Sequence, residues 1–179
     1  MGFSVESEEV VHRGALVTLV RAQVRPPEGD AFERELVRHP GAVVVVPLVS
    51  ADRALLVRQY RAAVDRELLE LPAGKRDVAG EPPETTAARE LVEEVGRRAG
   101  SLELLAEFYN SPGFSDEHTF LYLATGLTEV PDSRQGPEEA AMTLEEVPLA
   151  AVERLVSERE IVDAKTIIGL TLARLRTHR

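Results

Sequence analysis

The 179-residue chain has no cysteine and no tryptophan, and its aromatic residues are five phenylalanines and three tyrosines. Without cysteine there is no disulfide, no thiol nucleophile and no cysteine-ligated metal. No apolar run approaches the ~18 residues of a membrane span, and the N-terminus lacks the basic-then-apolar pattern of a secretory signal. A cytoplasmic protein with no membrane partner is therefore expected. Positive charge is also short, 21 basic residues against 31 acidic ones for a net −10. No basic run offers counterion release to a nucleic-acid backbone, so no nucleic-acid partner is expected. A negatively charged substrate must instead be met by a metal and by local arginines, not by the field of the whole molecule. Lys75 and Lys165 are the only lysines, a bias that a GC-rich genome accounts for.

What remains is 44% hydrophobic and 29% charged, the balance of an ordinary globular chain long enough for one domain with a small appended segment. Valine-rich alternation over residues 8–24 reads as two strands, and Phe32 to Val37 as a returning strand after the turn at Pro26–Asp30. Gly41 to Leu48 is a continuous β-branched run, the mark of a strand buried on both faces. Ala54 to Tyr60, Leu102 to Phe108 and Phe120 to Thr125 read as further strands. Pro131 to Glu139 reads as a loop, with a short strand around Met142–Leu144. Two helices are expected at about 148–158 and 163–177, the second with Asp163 as N-cap and an apolar face of Ile167, Ile168, Leu170, Leu172 and Leu175. Strands on either side of one central helix, with helices at the end, indicate an α/β or α+β fold in which helices cover a mixed sheet.

That central helix opens after Pro82-Pro83 and stops at Gly96. Its acidic residues Glu90, Glu93 and Glu94 share a helical face, while Ala88, Leu91, Val92 and Val95 form an apolar stripe on another arc. Most Glu-rich helices are simply solvated, and like charges at these spacings repel by a few tenths of a kcal/mol per pair. A hard divalent cation, Mg²⁺ or Mn²⁺, removes that repulsion and usually arrives with a phosphate substrate. Arg89 beside the three glutamates can hold a carboxylate by a bidentate pair.

The run from Gly74 through Glu81 to Arg89-Glu90-Leu91-Val92-Glu93-Glu94-Val95-Gly96 resembles the Nudix box, Gly-x5-Glu-x7-Arg-Glu-U-x-Glu-Glu-x-Gly-U, where U is bulky aliphatic. It departs in two places. Six residues rather than five separate Gly74 from Glu81, and Arg97 stands where an aliphatic residue is usual. The resemblance implies an α/β/α sandwich with a mixed sheet over residues 41–179. Residues 1–40 are then an added N-terminal β segment, expected to serve in dimerisation.

Ser111-Pro112-Gly113-Phe114-Ser115-Asp116-Glu117 resembles the proline-bearing loop of the ADP-ribose pyrophosphatase subfamily. Arg58-Gln59-Tyr60-Arg61 and Glu70-Leu71-Pro72-Ala73-Gly74 are similar to that subfamily too. The implied activity is metal-dependent hydrolysis of ADP-ribose to AMP and ribose 5-phosphate in a homodimer. Another nucleotide sugar or dinucleotide as substrate, or a non-catalytic ADP-ribose sensor, are the alternatives. Carried over position by position, Glu90 and Glu94 are metal ligands, Glu93 binds directly or through water, and the Ala73 carbonyl completes the site. Arg89 orients the glutamates, and Arg61, Pro112 and Gly113 are the substrate-side residues. The general base is expected on a loop after the box, at Glu138 or Glu139, with Glu139 preferred.

Overall fold

Val43, Val44, Val45 and Val46 are all fully buried, so the strand that carries them is covered on both faces. In the computed structural model, which describes residues 2–134 and 136–177, the chain forms two compact units. One runs to Gly41 and takes in Phe108–Thr119; the other comprises Ala42–Glu107 and the chain from Phe120 onward. The stretch 108–119 thus groups with residues far from it in the chain, a difference from sequence order. Backbone pairing explains the difference: the Val37 N–H donates to the Phe114 carbonyl at 2.7 Å, and the Asp116 N–H returns to the Val37 carbonyl at 3.2 Å.

The first unit is an antiparallel sheet of β1 (Ser4–Arg13), β2 (Thr18–Arg25) and β3 (Phe32–Arg38), in that order. Val20 and Ala22 on β2 are its buried apolar positions. Charged pairs line it, including a two-pronged Arg25–Glu6 contact at 2.9 and 3.2 Å. Asp116 ties the later stretch down, accepting from Arg38 at 3.0 Å and from the His39 N–H at 2.8 Å.

The second unit is built on a mixed seven-stranded sheet. Its strands are β4 (Ala42–Ser50), β5 (Arg53–Arg61), β6 (Arg66–Glu70), β7 (Ala73–Lys75), β9 (Ser101–Tyr109), β10 (His118–Thr125) and β12 (Thr143–Pro148). The order is β12-β5-β4-β10-β9, with β6 beside β5 and β7 beside β4. A two-stranded ribbon pairs β8 (Arg97–Arg98) with β11 (Thr128–Glu129). The helices are α1 (Pro83–Val95), α2 (Gly136–Ala140), α3 (Val152–Ser157) and α4 (Ala164–Thr177).

Side chains on a strand alternate between faces, and β4 uses both. Val43 and Val45 pack in one cluster with Ala87, Leu91 and Val95 of α1. Val46 faces the other way, against Gly169 of α4. The sheet of this unit is therefore sandwiched between helices, as expected.

Three details differ from expectation. The buried side of α1 is Thr86, Ala87, Leu91, Glu94 and Val95, with Ala88 exposed. The helix is rotated toward Glu94, whose carboxylate accepts the Ala73 N–H at 3.1 Å and draws that edge inward. On α4 the buried line is Thr166, Gly169, Leu170 and Ala173, while Leu175 is 60% exposed. Five residues beyond Leu170, Leu175 lies well around the helix from that stripe. The stretch expected as a loop at 131–139 contains α2, whose Pro137 suits a first helical turn and whose Glu138 and Glu139 favour the helix dipole. Asp163 does cap α4, accepting the Thr166 N–H at 2.9 Å.

A Cβ on Gly169 would lie 2.4 Å from Leu71 Cδ1 and 3.2 Å from both Leu121 and Val46. Gly169→Ala gains about 1 kcal/mol of helix propensity but overpacks a closed core at about 1–3 kcal/mol. A lower melting temperature is expected in thermal unfolding; an unchanged or higher value would show that α4 can lift off the sheet freely.

Candidate active site

The acidic helix meets the sheet where β7 pairs with β4, Val44 opposite Ala73 and Val43 opposite Gly74. Gly74 is required there by closeness. A Cβ on it would fall 1.9 Å from the Glu90 Cδ, inside the carboxyl group itself. The helix enters through Pro82 and Pro83 without a side-chain cap. Just before it, Glu81 accepts a hydrogen bond from the Thr86 hydroxyl at 2.8 Å. The exit is set by Gly96 in the left-handed region at φ 60°, where a Cβ would press on the Val130 carbonyl at 2.9 Å.

Arg89 gathers the carboxylates. Its Nη1 donates to Glu90 Oε1 and to Glu93 Oε2, each at 2.9 Å, and its Nη2 reaches Glu81 Oε2 at 3.4 Å. The extra residue in the turn therefore leaves Glu81 within reach of the box arginine. Burial alone would pull the Arg89 guanidinium down, but the three carboxylates outweigh it and hold it well above its ordinary value. Glu81 lies below the usual carboxylate range, first through the Thr86 hydroxyl and then through Arg89. Glu90 is raised, burial outweighing the Arg89 charge. Glu94, only 5% exposed, is pushed up to about 8 by burial, offset in part by the Ala73 N–H.

These groups line a cleft of about 310 Å³ that also receives Gln59, Arg61, Glu138 and Glu139. Sequence distances of up to 80 residues thus converge on one hollow within the second unit. Arg61 does not stand free in it: its Nε and Nη2 make a bidentate pair with the buried carboxylate of Glu70 at 2.9 and 2.8 Å. Pro112 and Gly113 belong to the first unit, on an exposed turn closed by the Phe114 and Ser115 N–H groups on the Ser111 carbonyl. A side chain at Gly113 would meet nothing within 4 Å.

Among the described residues no three acidic or imidazole groups form a ready-made metal cage, and Arg89 holds Glu90 and Glu93. The donor chemistry nevertheless fits a hard divalent cation. Glu94 is a buried carboxylate whose hydrogen-bond donor is a neutral backbone N–H, in a hollow crowded with further carboxylates. Gln59, Glu70 and Arg134 were missed by sequence reasoning. Arg134 Nε donates to the Glu94 carbonyl at 3.0 Å and its Nη1 to the Met142 carbonyl at 2.8 Å. Only Gln59 carried a legible signal, sharing a strand face with Arg61 two residues on.

The NUDIX domain model matches residues 37–164. The chain belongs to the Nudix family. This Nudix chain is 47% identical over 168 residues to the ADP-ribose pyrophosphatase of Mycobacterium tuberculosis, covering 94% of this chain and 81% of the relative. It is 38% identical over 170 residues to the ADP-ribose pyrophosphatase of Bacillus subtilis, covering 95% and 91% respectively. The crystal structure of an ADP compounds hydrolase matches its Nudix fold with a TM-score of 0.84 at 25% identity, covering 99% of this chain and 95% of that one.

Glu94 has its ordinary value of 4.5 in the unfolded chain and about 8 in the fold. Its contribution to stability is thus present below the unfolded value and lost as pH rises through the folded one. Metal-free protein is expected to lose stability between about pH 5 and 8. Glu94→Gln should remove that loss, melting at least about 3 °C above the parent at pH 8.5. Thermal unfolding in EDTA at pH 5 and 8.5 checks this; equal pH slopes in the two proteins would contradict the buried-carboxylate account.

Proposed function

We propose that this Nudix hydrolase cleaves the diphosphate linkage of ADP-ribose to AMP and ribose 5-phosphate, with Mg²⁺ or Mn²⁺ as cofactor. The observation that carries the reading is the cleft itself, where three box carboxylates and their arginine adjoin Arg61 and Glu139. The similarity to proteins named ADP-ribose pyrophosphatase supports the choice of substrate. When bound, a divalent cation neutralises the diphosphate, orients it and makes an attacking water more acidic.

The chain's own residues divide the remaining work. Glu90, Glu94 and the Ala73 carbonyl would hold the cation, with Glu93 direct or through water, and Arg89 keeps Glu90 and Glu93 in place. Arg61 meets the diphosphate with donors left over from its Glu70 pair, since a guanidinium has five N–H groups and Glu70 accepts through only two nitrogens. Pro112 and Gly113 are assigned to the substrate side by the family resemblance. Glu139 takes the proton of the attacking water, in preference to Glu138. Its charge bears on both Glu90 and Glu94, whereas that of Glu138 bears on Tyr60. A glutamate occupied by a cation is poorly placed to accept a proton as well.

Two copies are proposed to associate through the N-terminal sheet, in the cytoplasm. Strand β1 is exposed at all ten positions, and Phe3, Val5, Val10 and Val11 are exposed apolar side chains on or beside it. A long exposed strand of this kind is a template for pairing with another chain. In sedimentation velocity a dimer is expected for the parent and a monomer for Val5→Glu combined with Val10→Glu; a monomeric parent would end this assignment.

Product analysis tests the reaction. ADP-ribose incubated with Mg²⁺ should give AMP and ribose 5-phosphate, abolished by EDTA, and faster than ADP-glucose or NADH. Glu94→Gln should lose most turnover, at least about a hundredfold, while staying folded. Tight binding of ADP-ribose without cleavage would make the protein a sensor instead.

A further inference from the structure

Gln59 sits on β5 between Val57 of the core cluster and Arg61 of the cleft, all three on one strand face. The residue lines the cleft and is 7% exposed. The Nε2 atom is fully buried and has no hydrogen-bond partner among the described residues. Buried amide donors are almost always paired, because an unmade bond in a low-dielectric interior is unfavourable.

None of the described carboxylates of the cleft accepts from Gln59 Nε2. Glu94 takes the Ala73 N–H, Glu90 and Glu93 take Arg89, and Glu70 takes Arg61. Gln59 therefore offers a donor that no described residue takes up. A diphosphate supplies only acceptor oxygens. A neutral amide can bind one without repelling a cation that shares the same group, which a further arginine could not do.

We propose that Gln59 is a substrate-binding residue whose Nε2 donates a hydrogen bond to a diphosphate oxygen of the bound nucleotide. The inference rests on the reading of this cleft as the site of diphosphate hydrolysis. A donor to the diphosphate reads no base and no sugar, so its loss must weigh equally on every nucleoside diphosphate sugar.

The test compares Gln59→Leu and Gln59→Glu with the parent on ADP-ribose, ADP-glucose and GDP-mannose in Mg²⁺, together with thermal unfolding. Gln59→Leu should melt at or above the parent temperature, because it removes an unpaired buried donor. Its kcat/KM should fall roughly ten- to a hundredfold, by the same factor on each substrate that the parent cleaves. Gln59→Glu, equal in shape but an acceptor facing oxygen, should fall further. A lower melting temperature with unchanged kcat/KM would reduce Gln59 to a packing residue and overturn the proposal. Losses differing more than about tenfold between substrates would overturn it too, by showing that Gln59 reads base or sugar. Calorimetric binding of α,β-methylene ADP-ribose reads the same contact without turnover. If the parent cleaves none of the three nucleotides, the proposed function fails alone, and an unweakened dissociation constant in Gln59→Leu is what would sink this inference.

Discussion

Carboxylates crowd one side of α1, and the site depends on how their mutual repulsion is held in check. Arg89 does this from within the helix, reaching Glu90 and Glu93 with one nitrogen and Glu81 with another. A guanidinium is suited to the task because it stays charged when partly buried and presents several donors in a rigid plane. The arrangement is incomplete by construction. Glu94 receives no hydrogen bond from that arginine, and burial pushes its carboxyl well above the ordinary range. A buried carboxylate whose hydrogen-bond donor is a neutral N–H stands to gain from a cation.

That tension is affordable because the framework beneath it is closed. The Val43–Val46 run serves α1 on one face and α4 on the other, and the pairing of β4 with β7 sets the Gly74 backbone against the Glu90 carboxyl. Rigid packing of this kind lets a carboxylate be held in an unfavourable place without the surrounding structure giving way.

Much of this was readable from the residues. The β-branched run at 43–46 announced a doubly covered strand, Gly96 announced the end of the helix, and the Gly74–Gly96 spacing announced the acidic cleft. What was not readable had a common cause: it depended on partners far away in the chain. Arg61 looked like a free substrate contact because nothing local indicates that Glu70, across a hairpin, takes its fork. The exposure of Ala88 follows from a hydrogen bond to Ala73, which periodicity cannot see. The loop at 108–119 joined the N-terminal sheet through two backbone bonds to Val37, and backbone bonds leave no trace in side-chain pattern. Helix α2 was hidden because a five-residue helix has too little periodicity to register.

Arg134 carries an implication for how the rim of the cleft is held. By grasping the carbonyl of Glu94 on one side and that of Met142 on the other, it rivets both ends of the stretch that bears Glu138 and Glu139. With Val130 also bonded to the Gly96 carbonyl at 3.0 Å, the approach to that stretch is pinned to the end of α1 as well. A displacement of α1 would therefore carry with it the lip of the cleft that bears Glu138 and Glu139.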